Sequence, residues 1–173
     1  MSILRSSMAF GVLMLSSAAL AQSAKPTDPQ IAHIAYTAGV IDIEAAELAQ
    51  KRSTNKAVLS FAADMVRDHR AVNAQALALV GKLKVTPEDN PTSKALSKQA
   101  EAKLKELSAL EGAAFDRAYA QNEVAYHRQV NEALQGTLIP AASNGELKRL
   151  LTTGLRIFQG HQKHAEQVVG ELK

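Results

Sequence analysis

The chain of 173 residues contains no cysteine and no tryptophan, and only three tyrosines and four phenylalanines. The absence of cysteine excludes a disulfide framework and a lipid-modified amino-terminal cysteine. Any folded domain must therefore be held together by its core. The formal net charge is only +3, and few aromatic residues accompany the basic ones. Nucleic-acid binding is not expected, because the chain has no basic surface interleaved with aromatic side chains.

The amino-terminal segment has the layout of a secretory signal peptide. Arg5 supplies a positive charge, an apolar run extends from Met8 to Leu15, and an A-x-A cleavage site ends at Ala21. The apolar run is shorter than the roughly 18 residues that a membrane span requires. We therefore predict a signal peptide over residues 1–21, a periplasmic product, and no transmembrane segment after cleavage.

The rest of the chain is rich in helix-forming residues and long enough for one domain. We predict a flexible leader over residues 22–28 and an all-α bundle domain over residues 29–171. Apolar residues recur at spacings of three and four along five segments, as expected for amphipathic helices. These segments begin at Asp28, near Asn55, at Ser93, at Ser108 and near Glu146.

Local motifs predict where the helices begin and end. Asp28 followed by Pro29 is typical of an N-cap and a first helical residue. Ser108 and Glu111 have the S-x-x-E spacing of a capping box, which predicts the start of the fourth helix. That helix is expected to end near Gly136.

The short third helix, from Ser93 to about Leu107, decides the predicted topology. At ~1.5 Å per residue it is roughly 22 Å long, enough to return the chain along the bundle. The fourth helix would then run parallel to the second, giving a four-helix ferritin-like bundle with a short helical crossover. An up-and-down array with an extra helix is the competing fold.

Several ionisable residues interrupt the apolar helix faces. At about 100° per residue, His33 points outward, whereas six residues point inward. Their heights along the helices place His127 one turn below the others, which share one layer. Buried charges are costly unless they are paired, hydrogen-bonded or bound to metal. The inward residues are Asp42, His69, Asp116, Glu123, His127 and His161.

Carboxylates and imidazoles from four helices are typical of metal sites in helical bundles. The chain lacks the E-x-x-H pair of di-iron and di-manganese bundles, so zinc or copper suits the set as well as iron or manganese. A metal-free polar network that sets helix register is the alternative, and catalysis without metal is a third interpretation. The candidate metal ligands are Asp42, His69, Asp116, His127 and His161.

These residues also resemble a known family, domain of unknown function 4142. The family consists of small exported bacterial proteins, often named as outer membrane proteins, and no reaction is established for it. The resemblance extends from about Asp28 to Val169 and implies a ferritin-like fold. It is carried by Phe61-Ala-x-x-Met65-Val-x-Asp68-His69, by Gly112-Ala-x-Phe115-Asp116-x-Ala-Tyr119, and by His127 and His161. Asp42 also matches the pattern, whereas Glu123 and His164 do not.

Together these features predict an exported bundle that binds a transition metal in its core, for metal buffering or protection against oxidative stress. The alternative function is a metal-free module that binds an envelope protein through its surface. Whether the protein is an enzyme is left open by the sequence.

Overall fold

A computed structural model describes residues 25–172, so the predicted signal peptide lies outside the described residues. The described chain is helical, with no strand between residues 25 and 172, which confirms the predicted all-α class. A π-helical turn, Leu134–Leu138, joins the fourth helix to a very short fifth one. The helices are α1 (Asp28–Arg52), α2 (Lys56–Leu83), α3 (Pro91–Ser108), α4 (Gly112–Ala133), α5 (Ile139–Ala141) and α6 (Gly145–Glu171).

The long helices form two hairpins joined by α3. Helix α1 packs against α2, α4 packs against α6, α2 lies beside α6, and α3 runs along α1. The amide of Glu88, after α2, donates to the carbonyl of Pro29 at the start of α1 (3.1 Å). The amide of Asn144, after α4, donates to the carboxylate of Asp28 (2.8 Å). Helices α2 and α4 therefore end at the same end of the bundle and run parallel, as the predicted crossover requires.

The cap of α1 differs from the prediction by one residue. Thr27 is the N-cap, and it forms a reciprocal capping box with Gln30. Asp28 instead accepts three hydrogen bonds, from the amide (2.9 Å) and hydroxyl (2.7 Å) of Ser143 and from the amide of Asn144. A tertiary contact thus uses the carboxylate that the local motif had assigned to capping.

The predicted capping box at Ser108 is wrong. Ser108 is the last residue of α3, and α4 begins at Gly112 with Glu111 as an N-cap that makes no side-chain hydrogen bond. Gly112 has φ +52°, a left-handed conformation that glycine adopts at little cost, and this turns the chain sharply between the two helices. Helix α4 ends at Ala133, three residues before Gly136, and the π-helical turn follows it directly.

Apolar side chains pack between the helices on both sides of a layer of ionisable residues. One core cluster includes Phe61, Met65 and Phe115, and the other includes Ile31 and Leu151. The two clusters anchor the helices above and below the ionisable residues, so those residues are held by packing on either side. None of the helices between residues 25 and 172 is both long and apolar enough to cross a membrane.

Gly39 allows α1 to approach α2 closely. A Cβ atom at Gly39 would overlap the side-chain amide of buried Asn73. Gly39→Ala should therefore lower the free energy of unfolding by about 1–3 kcal/mol, measured by denaturant titration. Gly160→Ala is the control, since nothing lies within 4 Å of the added methyl there and alanine favours helix. Equal effects of the two substitutions would contradict a close contact at Gly39.

Candidate metal centre

Four helices place ionisable side chains in one buried layer. Asp42 comes from α1, His69 from α2, Glu123 and His127 from α4, and His161 from α6. None of the five is more than 6% exposed. We call these five residues the polar layer. Asn73, one turn after His69, and Asn131, one turn after His127, are also buried, so polar side chains continue for one more turn on α2 and α4.

Asp42 lies at the centre of the polar layer. Its Oδ2 atom is 3.5 Å from Nε2 of His69 and 3.4 Å from Nε2 of His127. Neither contact has hydrogen-bond geometry, and within residues 25–172 both carboxylate oxygens of Asp42 lack a partner. Buried polar atoms are normally satisfied, and an ordered water molecule or a metal ion would each satisfy this cluster.

Two hydrogen bonds orient histidine rings towards the centre. Nδ1 of His127 lies 3.0 Å from the backbone carbonyl of Glu123, an acceptor, so it carries the proton and Nε2 keeps its lone pair. Nε2 of His161 lies 3.1 Å from Oδ2 of Asp68, which leaves the lone pair on Nδ1. This arrangement of a ring nitrogen held by a carboxylate or carbonyl is common behind metal-binding histidines.

The three histidines of the polar layer face one another. Their ring centroids are 5.3 to 5.7 Å apart, and each ring offers one nitrogen within 4.8 Å of the other two. Asp42, Glu123 and His127 form a second group that meets the same distance limit. Because His127 belongs to both groups, they make one continuous centre.

Burial controls the charge of the polar layer. It raises the pKa of Asp42 to about 8, and it raises the pKa of Glu123 well above its usual value, with the nearby charge of Asp42 adding to the effect. Burial also lowers the pKa of His127 to about 3 and lowers the pKa values of His69 and His161. Near neutral pH and without metal, the imidazoles are therefore neutral and the carboxyl groups protonated. Neutral imidazole is the form that binds metal.

The structure brings Asp42, His69, His127 and His161 together, whereas Asp116 belongs to neither group. Asp116 is buried near the start of α4, and its Oδ1 has no partner among the described residues. The predicted height of His127 is wrong, because it contacts Asp42 in the same layer. The predicted height was calculated for a helix that begins at Ser108, whereas α4 begins at Gly112.

Asp68 is the residue whose contact with the centre the sequence analysis missed. It lies at the border of the inner face of α2, and its side chain is 28% exposed. Its carboxylate accepts hydrogen bonds from Arg67 and from Nε2 of His161. The available signal was its adjacency to His69 in the family-like motif. Glu123 was placed correctly by helical periodicity but was left out of the candidate ligands.

The remaining histidines lie outside the polar layer. His33 is half-buried, beside Asp89 and Ser93 at the start of α3. His164 is half-buried, with Nδ1 3.8 Å from Asp64 and its ring edge-on to Phe61. Each of them serves as a histidine control for experiments on the centre.

Tyr119 lies one turn before Glu123 and is fully buried. Its ring packs against Phe61 and Phe115, and its hydroxyl has no hydrogen-bond partner in the described part of the chain. Burial, with added effects of Glu123 and Asp42, raises the pKa of this hydroxyl well above its usual value. Tyr119 therefore stays protonated and apolar contacts hold its ring in place.

A sequence profile named domain of unknown function (DUF4142) matches residues 14–168. The chain belongs to this family. The profile spans nearly all of the bundle and includes every residue of the polar layer. Among curated proteins, no sequence matches the chain.

Two solved structures share the fold. One is a protein from Streptomyces coelicolor described as a secreted DUF305 protein, with a TM-score of 0.71, 14% identity, and coverage of 83% of this chain and 91% of that one. The other is CopM in its Cu(II)-bound form, with a TM-score of 0.65, 13% identity, and coverage of 86% and 99%. At these identities the similarity shows the fold alone.

The pKa shifts predict a stability maximum of the metal-free protein near pH ~6.5. The pKa of Asp42 is raised from 3.8 to about 8, so its stabilising contribution declines as pH rises above 3.8 and is fully lost above about 8. The histidine pKa values are lowered below 6.5, so their contribution is lost as pH falls below that value. Denaturant midpoints measured in chelator across this range should therefore fall on both sides of the maximum.

Substitution separates the two limbs of this profile. Asp42→Asn removes a titrating group and should make the alkaline limb less steep, the remainder coming from Glu123, whereas Glu44→Gln, at an exposed position of α1, should leave it unchanged. An alkaline limb that is as steep in Asp42→Asn as in the parent would contradict the raised pKa of Asp42.

Proposed function

We propose that the protein is a periplasmic metal-binding bundle whose polar layer holds a transition-metal ion for buffering or for protection against oxidative stress. The observation that carries the proposal is the set of unpartnered buried atoms on Asp42, His69, His127 and His161. A bound metal ion would accept lone pairs from these atoms. His69, His127 and His161 would be ligands, and Asp42 would complete the set after losing its proton.

The donor set favours zinc or copper. Three imidazoles and one carboxylate are borderline ligands that bind these ions well, and divalent copper usually binds most tightly to such sites. CopM, whose structure holds Cu(II), shares this fold, which supports testing copper first. Met65, one turn before His69, lies in the adjoining core cluster and packs there as an apolar side chain.

The depth of the polar layer supports holding an ion rather than exposing it. An ion bound there would lie among side chains that are no more than 6% exposed. Such shielding limits the reactions of a redox-active ion with small oxidants, which is the protective function proposed here. Export is supported by the predicted signal peptide and by the fold shared with a secreted protein.

The unpartnered atoms of the polar layer also argue against the alternative of a metal-free polar network. A polar network that only specifies the fold would satisfy its members through mutual hydrogen bonds. In the described residues, Asp42 and His69 instead leave their side-chain polar atoms unpartnered. An envelope partner on the surface would give no reason for this arrangement in the core.

Elemental mass spectrometry of the mature protein, purified from the periplasm without a metal-affinity tag, tests the proposal. Near-stoichiometric transition metal is expected in the parent protein and in His33→Ala. His69→Ala should lose the metal while keeping its helical circular dichroism. A protein that is free of metal, and that also binds none of added copper or zinc, would overturn the proposal.

Asp68 should act as a positioning residue for the ion. It holds His161 through Nε2, so Asp68→Asn should weaken metal binding by about 10- to 100-fold without removing a ligand. Asp64→Asn is the matched control, because Asp64 also pairs with Arg67 but does not contact His161. Competition titration with a chromophoric chelator measures both affinities. Equal affinities in the two variants would rule out this role.

A further inference from the structure

A cavity of about 680 Å³ occupies the half of the bundle beyond the polar layer. Its lining extends along α1 from Thr27 to Ala38 and along α6 from Leu147 to Phe158, which is roughly 16 Å of each helix. The exposed part of the lining lies between the starts of α1 and α3 and the end of α4. The cavity is therefore an elongated pocket that opens at one end of the bundle and ends near the histidines.

Small side chains leave this space unfilled. Alanines stand on facing helices where larger apolar residues would close the gap. Protein interiors are normally close-packed, and voids much larger than a water molecule are few. An apolar pocket of this size falls within the range of small-molecule binding sites. The small lining residues are Ala32, Ala35, Ala38, Ala76 and Ala133.

The charge at the mouth restricts the class of ligand. Among the described residues that line the cavity, Lys25 is the only one with a formal charge, and it lies at the mouth. The polar lining residues at this end include Thr27, Thr92 and Gln30, which donates to Glu88, and the far wall is the ring of Phe158. A ligand with a long apolar body and one anionic end matches this distribution.

We propose that the cavity binds one free fatty acid, with its alkyl chain between the helices and its carboxylate beside Lys25. The elongated shape fits a single chain, and the lining offers no carboxylate that would repel the head group. This inference does not depend on metal binding, because the cavity and the polar layer share only the boundary at Phe158.

Binding of cis-parinaric acid, a fluorescent fatty acid, to the metal-free mature protein tests the proposal. The parent should bind it at one site, and palmitic acid should displace it. Ala76→Phe fills the cavity and should weaken binding by at least about tenfold. Ala74→Phe, at an exposed position of the same helix outside the lining, should bind like the parent. Ala35→Leu repeats the test from α1 with a smaller side chain, should Ala76→Phe fail to fold.

The head group is tested separately. Lys25→Gln should weaken binding of palmitic acid by about three- to fivefold, as expected for a solvent-exposed ion pair, and should leave binding of methyl palmitate unchanged. Asp42→Asn changes the metal centre but not the ring that stacks on Phe158, and it should bind fatty acid normally, which separates this site from the metal centre. No binding by the parent, or equal binding by Ala76→Phe and Ala74→Phe, would overturn the proposal. Preferential uptake of intact phospholipid from phosphatidylethanolamine vesicles would overturn the assignment of a free carboxylate.

Discussion

The burial of five ionisable side chains in one layer is the constraint around which the bundle is arranged. Their charged forms are disfavoured there, so without metal the layer folds in its neutral form. Apolar clusters on either side supply the packing that holds the helices together across it. The orienting contacts of His127 and His161 then leave their free nitrogens in place before any ion arrives.

The crossover makes this layer possible. Because α3 returns the chain along α1, neighbouring long helices are antiparallel and each hairpin contributes ionisable side chains from the middle of its helices. The bonds from Ser143 and Asn144 to Asp28 fasten the second hairpin to the start of the first. A short connection in place of α3 would reverse α4 and move His127 away from Asp42.

Much of this could be predicted from sequence, because the decisive information was local. Helical periodicity placed His69, His161 and Glu123 on inner faces, and the length of the third helix indicated the crossover. The failures concerned tertiary contacts. The height of His127 depended on where α4 begins, and glycine geometry at Gly112 overrode the motif at Ser108. The role of Asp68 depended on a partner 93 residues away.

Phe158 belongs to two environments at once. Its ring stacks on His69, with centroids 4.6 Å apart. Phe158 also forms part of the wall of the cavity. Any occupant of the cavity that displaces this ring also changes the packing of a histidine. Thermodynamic linkage makes such an effect reciprocal, so that an ion on one side and an apolar molecule on the other would alter each other's affinity by the same factor. Phe158 is thus the residue through which binding in the cavity and binding at the polar layer would be coupled.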